Sequence, residues 1–134
     1  MTCQAIVFGE PVAQGRPRFT RNGRVYDPPK SSDYKKRVRE ACAKSAPETP
    51  VDGAVWLLVA AYFGIPKSWS KRKRRAAFLN EIRPTKRPDL SNVLKGVEDA
   101  LNGLWYEDDA QIVSITCTAW YSDEPRVEIL MKEE

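Results

Sequence analysis

The segment AVWLLVAAYF, residues 54–63, constrains the fold of this chain more than any other part of the sequence. Its ten residues are all aliphatic or aromatic, and its valines and aromatic residues favour strands. An Asp-Gly pair precedes the segment and a Gly-Ile-Pro triplet follows it, and both are turn signals. Ten residues are too few to cross a membrane as a helix. The segment therefore predicts a buried central strand against which the other elements must pack.

The remaining elements alternate between strand and helix patterns. Further strands are predicted over residues 2–8, 112–119 and 126–132, and helices from Ser31 or Ser32 to about Ser45, from Ser68 or Ser70 to about Asn80, and over 89–102. A proline-rich basic loop covers residues 9–30 and contains an Asn22-Gly23 turn that indicates a small ribbon. This order predicts an α+β class, with one mixed or antiparallel sheet, helices packed against it, and a single domain over residues 1–134.

Two absences limit the chemistry of a chain of this composition. The 134 residues include no histidine, which excludes Ser–His, Cys–His and His–metal mechanisms within the chain. The three cysteines, Cys3, Cys42 and Cys117, form no CxxC pair, so neither a zinc site nor a redox motif is indicated. An enzyme with this sequence must use carboxylates, lysine, hydroxyls or a hard metal held by oxygen. No membrane span or signal peptide is indicated, so we expect a soluble, cytoplasmic protein.

Charge is distributed in blocks along the chain. Residues 11–44 carry a balance of +7 and residues 67–87 a balance of +8, whereas residues 88–134 carry −8. Basic blocks of this kind are typical of proteins that bind a polyanion. Clustered carboxylates repel phosphate unless a divalent cation lies between them. The pattern indicates a metal-assisted reaction on a phosphate polymer, with two solvated surfaces as the alternative.

Acidic residues and one lysine surround the clearest predicted helix. Asp89 lies at the helix start, Lys95 and Asp99 lie on its polar face, and Asp108 and Asp109 precede the next strand. Magnesium is usually held by one or two carboxylates, waters and phosphate oxygens, so this arrangement suits a magnesium site. The alternatives are an Asp89 helix cap, a Lys95–Asp99 surface pair and a solvated acidic turn.

The sequence resembles the RusA-type Holliday junction resolvases in several motifs that occur in order. They are Pro88, Asp89, Asn92 and Lys95, then Asp99-Ala100-Leu101-Asn102-Gly103, then Asp108-Asp109-Ala110-Gln111, with GRPRFTRNGRVYDP and PKSWSK earlier in the chain. The resemblance covers most of the chain. It implies a bacterial or phage-encoded endonuclease that works as a homodimer on four-way or branched DNA. It also implies Mg²⁺ as the cofactor, with Mn²⁺ able to substitute, and symmetric cuts on two strands.

The resemblance also assigns roles to individual residues. Asp89 and Asp109 match the metal-binding aspartates, and Lys95 matches the lysine required for cleavage, which makes these three the predicted catalytic residues. Asp108 and Asp99 are predicted to complete the metal shell. The predicted contacts to the DNA backbone are basic residues of the loop, the second helix and the segment before the third: Arg16, Arg18, Arg21, Arg24, Lys71, Arg72, Lys73, Arg74, Arg75, Lys86 and Arg87.

One position departs from the family pattern, and it leaves two other functions open. Ser91 stands where the family has its second aspartate, so the chain has one charged metal ligand fewer. The first alternative is a branched-DNA-binding protein with weak or no cleavage. The second is a single-stranded nucleic-acid binder in which Trp69, Trp105 or Tyr106 stack on bases.

Overall fold

The computed structural model describes residues 1–15, 18–26, 28–86 and 88–134, and it has the predicted α+β class. The strands are β1 (Thr2–Phe8), β2 (Arg18–Phe19), β3 (Val25–Tyr26), β4 (Val55–Gly64), β5 (Ile112–Ser122) and β6 (Arg126–Glu133). The helices are α1 (Pro29–Ala43), α2 (Lys71–Phe78) and α3 (Leu90–Leu101), and a short 3-10 turn spans Asp109–Gln111. The predicted order of the elements is therefore confirmed.

The main sheet is mixed and has four strands in the order β1-β6-β4-β5. Strand β4 pairs with β6 in the antiparallel sense and with β5 in the parallel sense. Strand β1 pairs with β6 and forms one edge, and β5 forms the other. The apolar segment at residues 54–63 is therefore a central strand, as its composition predicts.

Helices α1 and α3 cover one face of this sheet and enclose the core. Val55, Leu57 and Val59 alternate along β4 and are almost fully buried on that face. Val97 of α3 and Val38 of α1 are fully buried in the same cluster. The period of the apolar residues in α3 explains this placement, because residues three and four positions apart share one face of a helix. The polar face of α3 is left on the outside.

Helix α1 begins two or three residues before the serines that were predicted to start it. Its first residue is Pro29, and no side chain caps its start. A proline at the first position has a fixed φ suited to the helix and needs no hydrogen-bond partner for its nitrogen. Ser31 is instead buried within the first turn, where its hydroxyl accepts a 2.7 Å hydrogen bond from the backbone amide of Gly15. The hydroxyl thus fixes the basic loop to α1.

The predicted ribbon in the basic loop is confirmed as the β2–β3 hairpin. The amide of Gly23 donates to the carbonyl of Thr20 at 3.0 Å, and Gly23 has a φ of 77° that favours glycine. The turn exposes Arg21 and Arg24 at its tip.

The predictions on thiols and membrane spans can be compared with the structure over the described residues. Cys3 and Cys42 are buried and Cys117 is half-buried, and all three are free thiols. Burial raises the pKa of Cys42 to about 12, which suits an inert structural thiol. Among the helices of the described residues, none combines the length and the apolar character needed to span a bilayer.

Candidate active site

One stripe of α3 carries the polar side chains that face away from the core. Ser91, Lys95 and Glu98 follow one another at spacings of four and three residues, so they lie in one row along the helix. Ser91 and Lys95 are exposed, and Glu98 is half-buried. The prediction that Lys95 lies on the solvent side of this helix is confirmed. The half-buried carboxylate of Glu98 in the same row is a feature that the sequence reasoning missed.

Asp89 occupies the position before α3, but its carboxylate does not cap the helix. Its backbone carbonyl accepts hydrogen bonds from the amides of Asn92 and Val93, at 3.1 and 3.2 Å. The alternative in which the Asp89 side chain serves as a helix cap is therefore wrong. Asp89, Ser91 and Lys86 line one cavity of about 330 Å³. Ser91, where the sequence departs from the family pattern, therefore lies beside Asp89, the first predicted metal ligand.

A buried aromatic pair holds the acidic loop against the helices. The hydroxyl of Tyr106 donates a 2.8 Å hydrogen bond to the backbone carbonyl of Glu98. The indole nitrogen of Trp105 donates at 2.9 Å to the carbonyl of Cys42 in α1. Both rings are fully buried. These contacts fold the loop back along the C-terminal half of α3, which the sequence alone leaves undetermined.

The turn that follows is fixed by reciprocal hydrogen bonds. Asp108 accepts from the amide of Ala110 at 3.4 Å, and Gln111 accepts from the amide of Asp108 at 2.8 Å. The amide group of Gln111 also donates to the carbonyls of Val51 and Gly53, at 2.7 and 2.8 Å. This anchoring to the start of β4 positions Asp109 at the entrance of β5, and it explains why the glutamine follows the acidic pair.

Glu98 and Asp109 are close enough to influence each other. Burial, and then the carboxylates of Asp109 and Asp99, raise the pKa of Glu98 above its ordinary value, whereas Lys95 lowers it. Burial and the charges of Glu98, Asp109, Asp99 and Asp108 likewise raise the pKa of Tyr106. The structure therefore gathers four acids near the hydroxyl of Tyr106, and Lys95 lies near one of them, Glu98. The i, i+3 spacing of Lys95 and Glu98 was the sequence signal for the missed acid.

Asp99 has a partner that the sequence did not indicate. Its carboxylate lies 3.7 Å from the ammonium nitrogen of Lys35 in α1. The alternative of a Lys95–Asp99 ion pair is thus replaced by a contact between two helices. Asp99 links α3 to α1 in addition to its position beside Glu98.

The acidic side chains of the site can be compared with the ligands that magnesium usually takes in proteins. Within residues 1–15, 18–26, 28–86 and 88–134, no three acids or cysteines converge closely enough to hold a metal ion. Magnesium, however, is commonly held by one or two carboxylates with waters and phosphate oxygens, and Glu98 and Asp109 offer such a pair. Asp89 lies nine residues before Glu98, about 13 Å along the helix axis. The pair formed by Glu98 and Asp109 and the cavity lined by Asp89 are therefore two separate parts of one stripe.

The basic residues lie on two exposed elements. Lys71 to Arg75 are all exposed on α2, and the side chain of Ser70 caps the start of this helix, as predicted. Lys73 differs from its neighbours because its ammonium lies 4.0 Å from the ring centre of Trp69, which packs on Tyr121 of β5. Arg18, Arg21, Arg24 and Lys86 are exposed as well, whereas Arg16 and Arg87 lie outside the described residues.

The predicted stacking platforms are wrong for two of the three aromatics. Trp105 and Tyr106 have no exposed surface, because they pack in the core between α1, α3 and the sheet. Trp69 is half-buried between Lys73 and Tyr121. A single-stranded nucleic acid therefore finds no row of open rings at these positions.

Comparisons with known proteins identify the family of this chain. The family model described as Endodeoxyribonuclease RusA matches residues 9–132. The chain is also 47% identical over 132 residues to the uncharacterized protein YqaN of Bacillus subtilis (strain 168), a match that covers 95% of this chain and 93% of that protein. The family match includes nearly every described element and the polar stripe of α3. The chain therefore belongs to the RusA family of endodeoxyribonucleases, whose substrate is Holliday junction DNA.

Proposed function

We propose that this protein is a magnesium-dependent endonuclease that nicks four-way DNA symmetrically as a homodimer. The observation that supports this proposal best is the half-buried carboxylate of Glu98 beside Asp109 and Lys95. Mutual repulsion and burial make this grouping unfavourable for stability, so a function that needs it is the simplest reason for it. A divalent cation would offset the repulsion.

The residues around α3 divide the proposed work between them. Asp109 and Glu98 would hold one magnesium ion and Asp89, in its separate cavity, a second; the metal would supply positive charge at the phosphate and activate water for hydrolysis. Lys95 lies exposed in the same row and offsets negative charge on the phosphate. Asp108 keeps the turn in place through its bond to Ala110, and Asp99 is balanced by Lys35. These last two acids would support the site rather than carry it.

The basic elements would hold the DNA without reading its sequence. The β2–β3 hairpin and α2 project exposed arginines and lysines, which bind phosphates through charge and hydrogen bonds. Trp69 restrains Lys73, so the other four basic residues of α2 are the ones most available to DNA. A structure-selective nuclease requires contacts of this kind, because it must accept many sequences.

Glu98 weakens the binding-only alternative by adding a carboxylate to the same row of α3. The alternative rests on the loss of a carboxylate at Ser91. Glu98 lies two helical turns further along the same row, so the stripe still carries an acid besides Asp89 and Asp109. Cleavage therefore remains the better-supported function.

Nicking of a labelled four-way junction, compared with linear duplex of the same sequence, tests the proposal. We expect two symmetric nicks in the junction that depend on Mg²⁺, are supported by Mn²⁺ and disappear when the metal is chelated. The linear duplex serves as the control and should stay intact. Junction binding without nicking at any magnesium concentration would favour the binding-only alternative, and equal cutting of both substrates would remove structure selectivity.

A further inference from the structure

The β2–β3 hairpin exposes apolar side chains that the fold does not cover. Every residue from Arg18 to Tyr26 is exposed, and each of the two strands has only two residues. A two-stranded ribbon of this kind gains little stability of its own in water. Phe19 is nevertheless 71% exposed and Val25 56% exposed. Adjacent exposed apolar side chains with a polar surround are typical of an interaction site.

The register of the hairpin places these side chains together. Phe19 pairs with Val25, and Arg18 pairs with Tyr26. Residues directly opposite each other in an antiparallel pair share one face, whereas neighbours along a strand point to opposite faces. Phe19 and Val25 therefore form one apolar face of the ribbon.

Hydrogen bonds at the turn hold this face in shape before any partner binds. The amide of Thr20 donates to the carbonyl of Arg24 at 2.9 Å, and the hydroxyl of Thr20 accepts from the amide of Arg24 at 3.1 Å. Together with the Gly23 bond to the same threonine, they close the ribbon next to Phe19. A preformed surface loses less conformational entropy when it binds.

The charge of the hairpin indicates the chemistry of its partner. Residues 18–26 contain three arginines, Arg18, Arg21 and Arg24, and no acidic residue. Arginine binds phosphate through charge and paired hydrogen bonds. A partner that satisfies both features must offer phosphates next to a flat apolar surface. A nucleotide whose base is open on one side has this combination, and aromatic rings stack on such bases.

The hairpin also lies near the candidate active site. The amide of Gln14 donates to the carbonyl of Asn92 in α3 at 3.0 Å, within one helical turn of Lys95. Phe19 follows Gln14 by five residues, so the Cα atoms of these two residues are at most about 18 Å apart. This distance corresponds to about five nucleotides of one DNA strand. A base held by Phe19 would therefore lie a few nucleotides from the nicked phosphate.

Arginines alone do not explain a preference for branched DNA, because linear duplex carries the same phosphates. In a linear duplex, a side chain that reaches a base face must first separate two stacked base pairs, which costs free energy. Stacking is already interrupted at a branch point, so an aromatic ring meets an open base there without that cost. An exposed phenylalanine among arginines can thus discriminate between the two DNA shapes.

We propose that Phe19, supported by Val25, stacks on a base exposed at the branch point of a DNA junction while the hairpin arginines bind the flanking phosphates. This inference rests on the proposed action on branched DNA and names the group that recognises the branch. Stacking accepts any base, since every base has a π face.

Binding of one four-way junction and of linear duplex, measured without magnesium, tests the role of Phe19. Phe19→Ala is expected to lower junction affinity by roughly 5- to 150-fold, the range for loss of one stacked base, and to leave duplex affinity unchanged. Phe19→Trp keeps an aromatic ring and should retain the preference for the junction. Phe8→Ala is the control, because Phe8 on β1 is 57% exposed and should bind both DNAs like wild type.

Two results would overturn the proposal. One is a Phe19→Ala variant that keeps the junction preference. The other is a clearly lower unfolding temperature of this variant, which would mean that the ring packs against protein. Because these measurements need no metal, a wild type that prefers junctions but never nicks them would contradict the nuclease and leave the role of Phe19 intact.

Junctions that lack single bases test the contact itself. If Phe19 stacks on a branch-point base, removing that base and truncating the ring eliminate the same interaction. Phe19→Ala should then bind an intact junction and one that is abasic at the contacted position equally well, whereas wild type should lose affinity when the base is removed. An abasic site in the middle of an arm is the control and should affect neither protein. Equal losses in wild type and Phe19→Ala at every branch-point position would exclude stacking by this ring.

Discussion

The hydroxyl of Tyr106 donates its hydrogen bond to the backbone carbonyl of Glu98, which is the residue whose pKa the carboxylate of Asp109 raises. One buried ring thereby connects the acidic loop to the polar stripe of α3. The bond also satisfies a carbonyl in the last turn of the helix, where intrahelical partners run out. The position of the loop acids therefore depends on a fully buried residue.

Removing this hydroxyl is expected to weaken both stability and cleavage. Tyr106→Phe leaves the carbonyl of Glu98 without its donor, which costs about 1–2 kcal/mol of unfolding free energy. Urea unfolding measures this loss, and junction nicking should slow because Asp108 and Asp109 are less well positioned. Tyr62→Phe is the control, since it removes a hydroxyl from β4 and keeps the ring over which Arg126 lies. Equal effects of the two variants would contradict the role of the bond.

The raised pKa of Glu98 predicts how stability depends on pH. Because burial and neighbouring acids raise the folded-state pKa above 4.5, the folded chain binds this proton more tightly than the unfolded chain. The stabilising contribution is therefore present below pH 4.5 and is lost as the pH rises through the folded-state pKa. Glu98→Gln stays neutral, so its stability should fall less than that of wild type over this range.

Thermal unfolding at a series of pH values measures the difference. Glu48→Gln removes an exposed glutamate and serves as the control, which should follow the wild-type profile. A Glu98→Gln profile parallel to wild type would mean that Glu98 is not held in an unfavourable charged state.

Periodicity and turn chemistry were enough to predict most of the fold. The central strand β4, the apolar face of α3 and the Gly23 turn all follow from local patterns that the structure confirms. The start of α1 was missed because the preference of Pro29 for a first helical position outweighed the serine caps. Sequence order also favoured Lys95 as the partner of Asp99, whereas helix packing supplies Lys35.

The candidate site was predictable only in part. Residues that share a helix face could be grouped from their spacing, and this spacing placed Lys95 on the polar face of α3. The approach of Asp109 to Glu98 depends on the burial of Trp105 and Tyr106, two rings that the sequence also allowed as exposed platforms. Long-range packing of this kind leaves no periodic signal in the chain.

Restoring the family's acid at position 91 is expected to lower the magnesium concentration that nicking requires. Ser91→Asp adds a carboxylate to the cavity that Asp89 lines, so half-maximal nicking should require less magnesium. Junction affinity without metal should not rise. Thr49→Asp adds a charge at an exposed site elsewhere and is the control. An unchanged magnesium dependence would mean that position 91 contributes no ligand in this chain.

Neutralising the open face of α2 is expected to weaken the dependence of binding on salt. Replacing Lys71, Arg72, Arg74 and Arg75 by glutamine, while keeping Lys73 on Trp69, preserves the aromatic interaction. The slope of log affinity against log salt should fall by about 0.9 for each phosphate that the variant no longer neutralises. Lys44→Gln with Lys132→Gln is the control, since both lysines are exposed outside the basic elements. An unaltered slope in the α2 variant would exclude this helix from the DNA surface.

The most direct test of the proposed active site compares cleavage and binding of one four-way junction by wild type and Asp109→Asn. The substitution removes the charge beside Glu98 and leaves the basic elements intact, so binding without magnesium should persist. Nicking should fall by more than the roughly 10- to 100-fold that changes outside a metal's ligand shell cost. Asp52→Asn, an exposed aspartate elsewhere, should cut like wild type. An Asp109→Asn variant that nicks the junction at the wild-type rate in magnesium would contradict the account.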